Sequence, residues 1–115
     1  MIIHEMGLFL SAIPIILEGL ANEDMPLVAH TARSLGTEMA HAVPRSLKQK
    51  LPEPFRQMGF ALHNDFDMLA LDAESLEDSK HALQQLSATV KKCAACHASY
   101  QISTRCDSDP SGKSP

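Results

Sequence analysis

Tryptophan is absent from this chain, tyrosine occurs once and phenylalanine four times, so aromatic residues make up 4% of the 115 positions. Aromatic rings normally supply much of the bulk of a core. Here Leu, Ile, Val, Ala and six Met must fill it, or a group that is not an amino acid must. Basic residues are also short. Ten Lys and Arg against fourteen Asp and Glu leave a net charge of −4, which argues against a nucleic-acid binder and its basic face. Three Cys are too few for a disulfide framework, and five Gly and seven Pro too few for a low-complexity chain. Long apolar runs are lacking too. The longest, Gly7 to Leu17, is interrupted by Ser11 and Pro14 and ends at Glu18, short of the roughly 20 residues a membrane span needs. Met1 to Glu5 carries no Lys or Arg, which is not the start of a signal peptide; an exported form is expected to have lost its leader already. What the chain does have is 44% hydrophobic residues, enough for one compact domain.

Apolar spacing reads as helix nearly everywhere. The first helix is expected from Ile2 to Leu20, with Ile3, Met6, Leu10, Ile13, Leu17 and Leu20 on one face and a bend at Pro14. A second is expected from an Asp24 N-cap, with Pro26 in its first turn, to a stop at Pro44, with Val28, Thr31, Leu35, Met39 and Ala42 as its stripe. Arg45 to Pro54 reads as a loop whose Arg45, Lys48 and Lys50 are solvated or dock an acidic redox partner. The third helix is expected from Pro54 to Leu71, with Phe55, Met58, Leu62, Phe66 and Leu69 inward. After a turn at Asp72 to Ser75, Ser75 and Asp78 resemble a capping box. A fourth helix then carries Leu76, Leu83, Leu86, Val90, Cys93 and His97 on one face and ends near Ile102. Together these give an all-α fold, an antiparallel four-helix bundle over residues 1–103, with residues 104–115 expected to be disordered.

The chemistry is concentrated in Cys93-Ala94-Ala95-Cys96-His97. This is C-x-x-C-H, the attachment pattern of c-type haem. Two thiols add across the two porphyrin vinyl groups, and the imidazole that follows the second Cys reaches the iron as an axial ligand. On a helix these three residues can face one flat group. Two other uses of the cysteines are weaker. A redox dithiol wants its C-x-x-C after a strand, and no strand pattern is visible. Zinc needs four ligands, for which Cys93 and Cys96 would have to recruit Cys106 or His81. Nothing in the spacing suggests a catalytic triad or a carboxylate pair, so an enzyme is not expected.

With the motif at the end of the fourth helix, the chain resembles the class II c-type cytochromes, cytochrome c′ and its low-spin relatives. The string Lys92-Cys93-Ala94-Ala95-Cys96-His97-Ala98-Ser99-Tyr100 is similar to that family's ending, and Gly7, Leu10, Ala12, Ile13, Ile16, Leu17 and Gly19 to its first helix. The resemblance implies haem c held by thioethers at Cys93 and Cys96, with His97 as the proximal iron ligand and Tyr100 packed one turn beyond. It also implies a periplasmic location and a homodimer through the first two helices. The family's distal residue lies about four turns before the Gly that closes the first helix, which here is Ile3. That implies a five-coordinate haem open to NO or CO, carrying single electrons, or both. Met6, Met1 or His4 is the competing reading: ligation by Met6 would make a six-coordinate carrier. Many cytochromes c′ have a basic residue after the Tyr, whereas this chain has Gln101.

The remaining groups have plainer readings. His30, His41, His63 and His81 are expected at the surface or in interhelical hydrogen bonds. Asp65, Asp67, Asp72, Glu74, Glu77 and Asp78 are expected to form a solvated acidic region, and Cys106 to be a free thiol in the tail.

Overall fold

The computed structural model describes residues 2–41 and 44–99, apart from the side chains of 2–4, 47, 48 and 99. The fold is all-α, with no strand among the described residues. Four long helices, α1 (Ile2–Ala21), α2 (Met25–Ser34), α5 (Glu53–Leu76) and α6 (Ser79–Ser99), are joined through two short ones, α3 (Thr37–His41) and α4 (Arg45–Lys50). Helix α1 packs on α2, α2 on α5, α5 on α6 and α6 back on α1. None of the helices is long and apolar enough to cross a membrane.

The first connection is tight because Gly19 permits it. A Cβ there would come within 2.8 Å of the Val28 side chain, so only glycine lets α2 fold back this closely. Asp24 then caps α2 by accepting from the Leu27 amide, as expected. Helix α1 runs on through Pro14, which lies on its exposed side.

The second helix does not continue to Pro44 as expected; it ends at Ser34. Gly36 packs against α5 where a Cβ would overlap the Asp67 carboxylate. That carboxylate accepts from the Thr37 amide at 3.1 Å and from its hydroxyl at 2.7 Å. A long-range side chain thus supplies the N-terminal cap of α3 and splits one expected helix into two. Other expectations shift as well. Arg45–Lys50 is helical rather than loop. Helix α5 runs through the expected turn at Asp72 to Ser75 and stops at Glu77, which takes the left-handed conformation with φ 50°. The Ser75–Asp78 box does not form. Asp78 itself caps α6, accepting from the amides of Lys80 and His81.

The core consists of Phe9, Ala12, Ile16 and Leu20 from α1, Met25, Val28, Ala29 and Ala32 from α2 with Leu35 beyond it, Phe66, Leu69, Ala70 and Ala73 from α5, and Ala82 and Leu86 from α6. Two expected stripes are therefore rotated. Leu10 is 74% and Leu17 45% exposed, while Phe9, Ala12 and Ile16 face inward. On α6, Leu76, which belongs to α5, and Leu83 and Val90 are exposed, while Ala82, Leu86 and Thr89 are buried. Small residues on the facing surfaces allow close approach, and close approach selects the face.

The expected acidic surface is mostly tied down. Asp65 pairs with Lys92 at 2.6 Å, Asp72 accepts from Gln85 at 2.7 Å and meets His81 at 3.1 Å, and Glu74 pairs with Arg33. The exposed pairs contribute little individually, but Asp67 holds two donors at a part-buried helix break. Replacement Asp67→Ala is expected to lower stability by about 1–2 kcal/mol, read by denaturant unfolding, with Asp67→Asn losing less. Equal stability of all three proteins would show that the cap is idle.

Candidate functional site

The core stops at Phe9, Phe66 and Leu86. Beyond it, between the N-terminal part of α1, the N-terminal half of α5 and the C-terminal end of α6, lies a cavity of about 580 Å³. Its walls are largely apolar. Met6 and Phe9 come from α1, Phe55, Met58, Phe60 and Leu62 from α5, and Ala95 and Cys96 from α6, with Ala40 and Leu51 closing one side. Glu5, Arg56 and Lys92 are the charged residues among its lining.

The cysteines reach this place by helical register. On α6, Ala82, Leu86, Thr89, Cys93 and Cys96 follow one another at spacings of 4, 3, 4 and 3, so one face passes from the core to the cysteine pair. Both cysteines are half-buried and free. Cys96 lines the cavity, and Cys93 stands one turn earlier. His97 is exposed and does not line the cavity. Met6 is half-buried against the core and lines the cavity. The Ile3 side chain, Tyr100, Gln101, Cys106 and the tail lie outside the described residues.

One residue of the site was expected only as a surface or interhelical group. His63 is 7% exposed and lines the cavity. Its Nδ1 lies 2.7 Å from the Leu35 carbonyl oxygen, and its ring packs on Phe9 at 5.3 Å between centroids. The interhelical bond agrees with expectation; the place in the cavity wall does not. The signal was present in the register Gly59, His63, Phe66, Ala70, Ala73, again spaced 4, 3, 4 and 3. His30 and His41 are exposed, and His81 bonds Asp72.

The cavity and its donors fit a porphyrin better than a metal ion alone. Its walls are apolar, Cys96 of the C-x-x-C pair stands in them, and Arg56 is a cation of the sign that haem carboxylates require, whereas Lys92 is paired with Asp65 and His97 is outside the lining. Among the described residues, no three His, Cys, Asp or Glu side chains are grouped to hold a metal ion. His81 is twelve residues from Cys93 along α6, about 18 Å at 1.5 Å per residue, too far to join it at zinc. No family model, curated protein or solved structure matches the chain.

Burial pushes the pKa of both thiols up, and Cys93 is pushed further by Cys96 and Asp65. The folded chain therefore holds these protons more tightly than the unfolded chain. The stability this contributes is present below the ordinary thiol range and is lost as pH rises through the raised values. It also keeps thiolate scarce near neutral pH, which is unlike a redox-active pair. Alkylation of Cys93 and Cys96 in the haem-free folded chain, followed by peptide mass spectrometry, is expected to be slower near neutral pH than in denaturant. The difference should narrow as the pH is raised. Alkylation faster than in denaturant would mean activated thiols.

Proposed function

We propose that the chain is a c-type cytochrome of the four-helix-bundle kind, with haem bound covalently at the cavity end. The observation that carries this reading is that the one C-x-x-C-H pattern of the sequence runs beside a large apolar cavity with Cys96 in its lining. Cys93 and Cys96 form the thioethers, and His97 supplies the proximal imidazole. Bound haem supplies one-electron chemistry and an iron position that can take NO or CO. The protein is a carrier of single electrons or a binder of small gases rather than an enzyme.

The rest follows from what surrounds the group. Phe9, Phe55, Phe60, Met58 and Leu62 exclude water and present an apolar surface to the ring. Arg56 offers positive charge to the carboxylates at the edge, while Lys92 is held by Asp65. An open sixth position shielded by Ile3 favours gas binding. Ligation by Met6, which stands in the cavity wall, favours electron carriage. Attachment of haem c places the protein in the periplasm. The exposed Leu10 and Leu17, two turns apart on α1, support pairing of two copies through the first two helices.

Expression in a periplasm with haem-maturation machinery is expected to yield haem that survives denaturing electrophoresis and gives a c-type pyridine haemochrome. Cys93→Ala with Cys96→Ala is expected to lose it entirely. A colourless wild-type protein would contradict the proposal, and bound zinc in its place would favour the metal-binding alternative.

A further inference from the structure

We infer that His63 is the internal sixth ligand of the haem iron, binding through Nε2. This rests on the proposed haem site and goes beyond it, because neither Ile3 nor Met6 is then the residue that sets the distal side. The argument begins with the proton. The Leu35 carbonyl can only accept, so at 2.7 Å the Nδ1 of His63 must be the donor. In the neutral ring that bond leaves Nε2 without a hydrogen and with its lone pair exposed. A backbone carbonyl on the far nitrogen is the usual arrangement that orients a metal-ligating imidazole and raises its basicity.

Nε2 has no hydrogen-bond partner among the described residues, and it is not sealed in protein, since Gln85 Oε1 is the buried orphan among them. With the residue 93% buried and in the cavity wall, the cavity is what Nε2 meets. The ring is held by Phe9 on one side and by the Leu35 bond at its other nitrogen, across from α2 and α1. An unprotonated nitrogen cannot donate to a bound gas. It can coordinate iron. His63 lines the same cavity as Ala95 and Cys96 of α6, which bears the C-x-x-C-H pattern. The consequence is a resting iron with two imidazole ligands, which NO or CO must displace.

The test uses the haem-loaded protein, with covalent attachment confirmed by haemochrome in each variant. Wild type is expected to be low-spin in both oxidation states. Its ferric paramagnetic resonance should show two imidazoles, and it should lack the near-infrared band of methionine ligation. His63→Ala is expected to become high-spin and to bind CO at least tenfold faster in the ferrous state, and added imidazole should restore the low-spin spectrum. Met6→Leu should stay low-spin, and its turning high-spin would make Met6 the ligand instead. A high-spin wild type, a methionine-type spectrum, or an unchanged spectrum in His63→Ala overturns this inference while leaving covalent haem standing. If His63→Ala does not accumulate, the wild-type resonance alone decides. A wild type without covalent haem overturns the underlying reading as well.

Discussion

The structure depends on an uneven filling of its interior. At one end the four long helices close on Ile16, Val28, Leu69 and a set of alanines, with no visible need for anything else. At the other end α1, α5 and α6 leave about 580 Å³ between them. This space opens to solvent, so its apolar walls are left facing water rather than packed. Apolar walls give water few partners, so the end that carries the C-x-x-C-H pattern is the end that lacks material. The scarcity of aromatic residues acquires a location here. Three of the four Phe, at positions 9, 55 and 60, line the cavity, and the fourth, Phe66, sits directly beneath it against Phe9. The aromatic rings the chain has are gathered where a flat apolar group would lie.

The charged residues of α5 serve the same geometry. Asp67 fixes the break after Gly36, and Asp65 and Asp72 join α5 to α6 through Lys92, Gln85 and His81. Thr37, where α3 begins, and the Leu35 carbonyl just before it are both held by α5 side chains, one by Asp67 and the other by His63. The loop between the second and third helical segments is thus bound to α5 near the cavity wall. The same loop bonds the His63 imidazole in that wall.

Much of this was legible beforehand and some was not, for physical reasons. Helical periodicity announced α1, α5 and α6 because a buried stripe repeats every three or four residues whatever its partner. Asp24 before Pro26 announced the start of α2 because capping is local. The break at Gly36 was hidden because its cause, Asp67, is 30 residues away. The inward faces of α1 and α6 were misjudged because Leu10, Leu17, Leu83 and Val90 are larger and more apolar than Ala12, Ala82 and Thr89. Burial was decided by how closely the helices approach, which favours the small residues. His63 was expected at the surface or in an interhelical hydrogen bond; its register with Phe66 and Ala70 is in the sequence, but the cavity it lines is visible only in the fold. The C-x-x-C-H pattern was visible in the sequence, but the cavity beside it was not.

The central claim is that a porphyrin completes the open end of this helix package. Hydrogen exchange of the haem-free and haem-loaded chains tests it most directly. The account predicts that loading strongly protects the amides of residues 53–63 in α5 and 92–99 in α6. Those around Val28, Leu69 and Ala82, already packed, should change little. Equal protection of the two forms at the cavity end would contradict it.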